Sequence, residues 1–247
     1  MRIYGRGGNL ATRANYRELF SLLVRKKVGQ SPIWVITTNY DSVIEELLRD
    51  PDFQNQIHAW GGVARLELRT GFVPGTPARW DPQMFSAPPR TGFCPVNLVK
   101  LHGSATWKWD NDAAPPQPVD IGLALPTGDY DCLVYFGYKS IPEFDPFKTM
   151  HRLLKDILLG HAVVVSIGFR FGDPYIRETF DFAFRANRNL QVICSLTQQP
   201  AQGTPLYGLM EAFPRQVSIL VGEDGTPIRF GREEFCRELE KRLESIR

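Results

Sequence analysis

From residue 145 onward the apolar residues of this chain switch repeatedly between two spacings. "DPFKTMHRLLKDILLG" carries them at helical intervals, "AVVVSIGF" is an apolar run interrupted only by Ser166, "GDPYIRETFDFAFRANRN" returns to helical spacing, and "LQVICSL" is a largely apolar run again. An apolar run of strand length has no face to give to water. Strands of that kind alternating with helices require a parallel sheet covered on both faces. Gly160 supplies a helix stop, and Asp173-Pro174 supplies an N-cap followed by a first-turn proline. A short helix at 205–213, a strand in "QVSILVG" and a terminal helix with Phe235, Leu239 and Leu243 on one face complete the pattern.

The N-terminal half follows the same logic with interruptions. Residues 13–27 place Tyr16, Leu19, Phe20 and Leu23 on one helical face. Ile33–Thr37 reads as a buried strand, and a helix from about Asp41 ends at Arg49, before Pro51. Residues 51–95 are rich in Gly, Pro, Arg and aromatics and read as an irregular or partly β insertion. A short strand, Val96–Leu101, ends in His102-Gly103. A second irregular stretch follows, with 110–118 its most loop-like part, and "DCLVYF" (131–136) is a further strand. The expected fold is α/β: a Rossmann-like three-layer parallel sheet with helices on both faces and an irregular inserted subdomain. Residues 1–247 form a single domain in this reading, with inserts at about 51–95 and 105–130.

Composition removes several functional classes. A net charge of +2 on 247 residues does not mark nucleic acid as a partner. No apolar run approaches the roughly 20 residues of a membrane span, and the N-terminus lacks the apolar stretch of a signal peptide. Cys94, Cys132, Cys194 and Cys236 are widely spaced with no CxxC pair, which speaks against zinc and against a disulfide framework. The chain reads as cytoplasmic, with reduced thiols.

In open parallel sheets ligands bind beyond the carboxyl ends of the strands. Three strand ends here carry polar or glycine residues: Asn39 and Asp41 after the first, His102-Gly103 after the second, and Gly168 with the loop to Asp173 after the third. Each has a structural alternative. Asn39 and Asp41 are good helix caps. A histidine at a strand end can be a satisfied structural residue, Gly168 can serve turn geometry, and helix initiation accounts for Asp173-Pro174. Taken together they suit a cleft with one base titrating near neutrality, an amide able to orient a hydroxyl or a water, and glycines that admit a nucleotide to the backbone.

"TTNYD", "KLHGS" and "IGFRFGDPYI", in this order, resemble the sirtuin-like superfamily, and most closely its bacterial anti-phage defence branch of silent information regulator type 2-like domains. The resemblance covers about residues 13–200. It implies cleavage of NAD, as substrate, between nicotinamide and ribose, through a transition state resembling that of glycoside cleavage. It casts Asn39 and His102 as catalytic: Asn39 positions ribose or the attacking water, and His102 acts as base. It casts Thr38, Asp41, Gly103, Gly168, Phe169 and Asp173 as NAD-binding residues.

Two departures from the family pattern shape the expectation. Deacetylating sirtuins carry a four-cysteine zinc ribbon after the histidine-glycine pair, whereas here only Cys132 precedes the next helix, so no zinc is expected. The family also opens on a strand ending in G-A-G-x-S that cradles the pyrophosphate. The glycine cluster "YGRGG" at 4–8 has three residues before it, and the chain is read as lacking that first βα unit. A second copy, a defence-system partner chain or an upstream segment would then complete the sheet. The competing readings are an inactive interaction module and an NAD-dependent protein deacylase or ADP-ribosyltransferase.

Overall fold

The computed structural model describes residues 10–26, 32–61, 65–113, 117–122, 132–134, 142–161 and 163–246, the side chains of 10–12 and 57–61 excepted. The chain divides into two compact units, Met1–His151 and Arg152–Arg247.

The first unit opens with α1 (Leu10–Lys26), β1 (Ile33–Thr37) and α2 (Val43–Arg49). A further helix, α3 (Pro51–Gly61), and a strand, β2 (Arg65–Arg69), follow. Two short strands, β3 (Phe72–Val73) and β4 (Ala78–Trp80), and a 3-10 turn at Pro82–Phe85 lead to β5 (Phe93–Lys100), β6 (Trp107–Asp110) and β7 (Gln117–Asp120). The boundary between units falls inside α4 (Phe147–Gly160).

Strand β5 lies between β1 and β2, and both pairings are parallel. It is buried from Cys94 to Lys100, as a central strand must be. One face is closed by α1, α2 and α3, whose Phe20, Leu47, Leu48 and Phe53 pack with Ile33, Leu66 and Val96. β5 begins earlier than the sequence predicts, and Pro95 does not prevent it. The register with β1 starts only at Val96, while Pro95 pairs across to Glu67 of β2. Among the described residues Pro95 has a strand neighbour on one side only, so its missing N–H breaks no ladder bond there.

Residues 51–69 correct the expectation of an irregular insertion, since they supply a helix and a core strand. Asp50 starts α3 by accepting the N–H of Asp52 at 2.9 Å, and Phe53 is fully buried. Gln54 stitches the helix to β2: its amide donates to the Leu66 carbonyl at 3.1 Å and accepts the Leu66 N–H at 2.8 Å. The inserted subdomain is an antiparallel sheet of order β3-β4-β7-β6. Aromatic rings fill it, with Phe72 against Trp80 at 5.2 Å and against Trp107 at 5.1 Å. Of the strand expected at 131–136, residues 132–134 are described, and Leu133 bridges to Gly103. The remainder, like the glycine cluster at 4–8, lies outside the described residues.

The second unit contains β8 (Val163–Ile167), α5 (Pro174–Ala186), β9 (Gln191–Ser195), α6 (Pro205–Ala212), β10 (Val217–Ile219) and α7 (Phe235–Ser245). Its sheet is parallel, in the order β10-β9-β8. The central strand β9 buries Val192, Ile193 and Cys194, and burial pushes the Cys194 thiol up to about 12. Phe171, Phe180, Phe184 and Phe213 form a chain of ring contacts in the same unit. The architecture is mixed α/β with parallel sheets flanked by helices, a Rossmann-like arrangement.

Candidate functional site

The register between β1 and β5 sets Thr37 opposite Lys100, so both strands end at the same level. Their following loops therefore lie side by side. The N–H of Leu101 donates to the Thr37 carbonyl at 2.9 Å, and that of Ala105 to the Tyr40 carbonyl at 2.9 Å. A third segment joins them. The Tyr40 hydroxyl donates to the Val134 carbonyl at 2.6 Å, and the Val134 N–H donates to the His102 carbonyl at 2.9 Å. The Tyr40 and His102 rings lie 6.5 Å apart between centroids.

Gly103 holds this junction closed. Its φ is +88°, and a Cβ there would overlap the Cys132 carbonyl oxygen and lie 3.3 Å from the Leu133 Cα. The main chain at 132–133 occupies the space that any other side chain at 103 would need.

The two loops use their polar groups differently. The Asp41 carboxylate accepts the Val43 N–H at 3.1 Å and so helps to start α2, the structural alternative the sequence allowed. Burial pushes the Tyr16 hydroxyl of α1 upward, and the negative charge of Asp41 adds to that shift. Asn39 is exposed, and its main-chain N–H donates to Thr37 Oγ1 at 3.0 Å. Its side-chain amide makes no hydrogen bond among the described residues, which leaves a donor and an acceptor open to solvent or ligand. His102, on the adjacent loop, is 5% exposed, and Thr38 is half-buried. Thr38, Asn39, Asp41, His102 and Gly103 are thus brought to one sheet edge.

Beneath these loops lies a buried ion pair that the sequence reading missed. Lys100 Nζ donates to Glu45 Oε1 at 2.8 Å, to Ser104 Oγ at 3.0 Å and to the Asp41 carbonyl. The two charged side chains are 2% and 8% exposed. Burial raises the Glu45 carboxyl above its ordinary range, and the Lys100 charge opposes that shift. The available signal was a lysine within the expected strand Val96–Leu101.

The second unit carries the other predicted residues on the loop after β8. Gly168 has φ +68° and donates its N–H to the Ser195 carbonyl at 3.0 Å. Among the described residues no atom lies within 4 Å of where a Cβ at 168 would stand, so backbone conformation alone favours glycine. Phe169 stacks edge-on to Phe171 at 5.0 Å. Phe171 is buried and left-handed at φ 58°, a conformation that a bulky side chain rarely adopts. Asp173 caps α5 by accepting the Ile176 N–H at 3.1 Å.

Among the described residues, no group of three His, Cys, Asp or Glu side chains is placed to hold a metal ion. No described helix is long and apolar enough to cross a membrane.

Comparison with known proteins adds the family. No curated protein matches the sequence. The family model of the SIR2-like domain matches residues 34–207, from β1 into α6 and across all three motifs. With well over half of its length matched and its parallel α/β architecture in agreement, the chain belongs to the SIR2-like domain family, whose members bind NAD.

Proposed function

We propose that this protein hydrolyses NAD at the bond between nicotinamide and ribose, releasing nicotinamide and ADP-ribose. The observation that carries the reading is the Asn39 amide, without a hydrogen bond among the described residues and exposed at the sheet edge where His102 also stands. The donor set fits the nicotinamide riboside end: an amide for a ribose hydroxyl or water, and an imidazole for a proton.

In overall balance, water supplies the new oxygen at the ribose carbon, the C–N electron pair departs with nicotinamide, and one proton is released. Asn39 orients the hydroxyl or the water through its free amide. His102 takes up the proton and passes it to solvent. The Tyr40–Val134 bond, and that of Val134 to the His102 carbonyl, hold the His102 main chain in place. Thr38, Asp41 and Gly103 serve the same end, and on the family resemblance alone Gly168, Phe169 and Asp173 of the second unit are further NAD-binding residues. The resemblance to the anti-phage defence branch, and a sequence without the zinc ribbon motif, favour free NAD over an acetylated protein as substrate. The same resemblance favours a bacterial, cytoplasmic setting.

The test is release of nicotinamide from NAD by the purified protein. His102→Ala is expected to lower turnover by about a hundredfold to ten-thousandfold, the usual worth of a general base. Asn39→Ala is expected to lower it while leaving the unfolding temperature unchanged, since the side chain makes no internal bond among the described residues. Turnover that survives both substitutions would remove the assignment.

A further inference from the structure

Lys100 sits under the site with its hydrogen-bonding capacity filled, without belonging to the reacting set. An ammonium group has three N–H donors. All three are used: on Glu45 of α2, on the Asp41 carbonyl of the loop after β1, and on Ser104 of the loop after β5. Ser104 extends the network to Thr106 Oγ1 at 3.1 Å. One buried cation therefore ties together both loops of the site and the helix that follows the first of them.

Stability alone gives little reason for such a pair. Desolvating two charges costs about as much as their attraction returns, and apolar side chains of similar size often serve a core as well or better. What apolar groups cannot do is fix two loops by directed bonds. The acceptors here are not random core groups. Asp41 lies two residues after Asn39, and Ser104 two residues after His102.

We propose that Lys100, held by Glu45, is a positioning residue that sets the spacing between the Asn39 loop and the His102 loop. For its effect on turnover this rests on the NAD-cleaving reading; for its effect on the loops it does not. The ammonium clamps the loop carbonyl at Asp41 and the Ser104 hydroxyl to one point. Glu45 keeps the ammonium from swinging out of that position.

The experiment is the charge-neutral double variant Lys100→Met/Glu45→Leu, which removes both charges and leaves no buried ion unpaired. Hydrogen exchange is measured at single amides, with thermal unfolding and nicotinamide release alongside. The expected result is an unfolding temperature close to wild type and unchanged protection of Val96 to Val99. The Leu101 and Ala105 amides, which bridge the two loops, should exchange at least about tenfold faster as local opening becomes easier. The kcat for nicotinamide release should fall by about a hundredfold, the effect of misplacing a site by roughly an ångström, with a much smaller change in KM.

Wild-type exchange at Leu101 and Ala105 together with wild-type kcat would overturn the proposal. If the wild-type protein releases no nicotinamide, the NAD reading fails and the exchange rates alone decide the positioning role. If the double variant does not fold, Ser104→Ala decides. It removes one of the three acceptors without burying an unpaired charge. Faster exchange at Ala105 with a lowered kcat supports the clamp, and no change in either overturns it.

Discussion

At position 103 there is no room for a Cβ, and at position 168 there is ample room, yet both are glycines with positive φ. The difference separates two physical causes. Gly168→Ala meets only the left-handed backbone penalty, about 1–2 kcal/mol. Gly103→Ala meets that penalty and also the main chain at Cys132, so it is expected to cost more than about 3 kcal/mol, backbone penalty and overpacking together. Urea unfolding of the two variants checks the order. Equal losses would mean that the 132–134 segment yields freely and that the close approach at Gly103 constrains nothing. The same residue-scale view separates Asn39 from Asp41. One side chain is free of internal bonds among the described residues and the other is occupied in starting α2, which no reading of "TTNYD" as letters could distinguish.

Four Asp-Pro pairs occur in the chain, at 50, 81, 145 and 173, and each one opens a helix or a helical turn. In every case the aspartate carboxylate accepts a backbone N–H of the first turn: from Asp52, Gln83, Thr149 and Ile176 respectively. Proline fixes φ near the helical value and lacks an N–H that would have no partner at a helix start. Asp50→Ala is therefore expected to destabilise the protein by about 1–2 kcal/mol, and Asp50→Asn by clearly less, because asparagine caps nearly as well. Thermal or urea unfolding of the two variants checks this, and equal losses would shift the weight to the Arg13–Asp50 pair at 3.2 Å. Elements marked by such devices, or by apolar runs, were legible in the sequence: β1, α4, β8, α5 and β9. The α3–β2 unit was not, although Asp50-Pro51 opens α3, because Pro51 also ends the helix before it and was read only as that stop. Its strand reads "RLELR", and alternating charges suggest surface. In the fold, Arg69 is buried and bonded to Glu67 at 2.6 Å and to the Pro88 carbonyl at 3.2 Å. Lys100 escaped because its counter-ion, Glu45, is far away in the sequence: a charge neutralised by a distant residue looks solvated until the fold brings its partner to it. Asn39 and His102 were placed at one level of the sheet by a rule about strand ends that needs no partner.

Across the whole molecule the chain forms two compact units, each with a three-stranded parallel sheet. Each central strand buries a cysteine: Cys94 in β5 and Cys194 in β9. These thiols are natural reporters. A buried thiol is inert until its unit opens, and that of Cys194 is also raised to about 12 by burial. Pulse alkylation across a urea gradient, read by peptide mass, is expected to give different midpoints for Cys94 and Cys194, as separate cores unfold separately. A shared midpoint would mean that the two sheets stand or fall as one cooperative body.

The contact at Gly103 has a consequence for how this site records its own history. The obstacle is the main chain at Cys132 and Leu133, which every residue type carries alike. A substitution at 132 leaves that obstacle in place and offers no compensation for a change at 103. In related sequences the glycine should therefore stay fixed while its spatial neighbour varies freely, and pairwise correlation between alignment columns should find no partner for it. A contact this close would be silent to covariation, and visible only where atoms are placed in space.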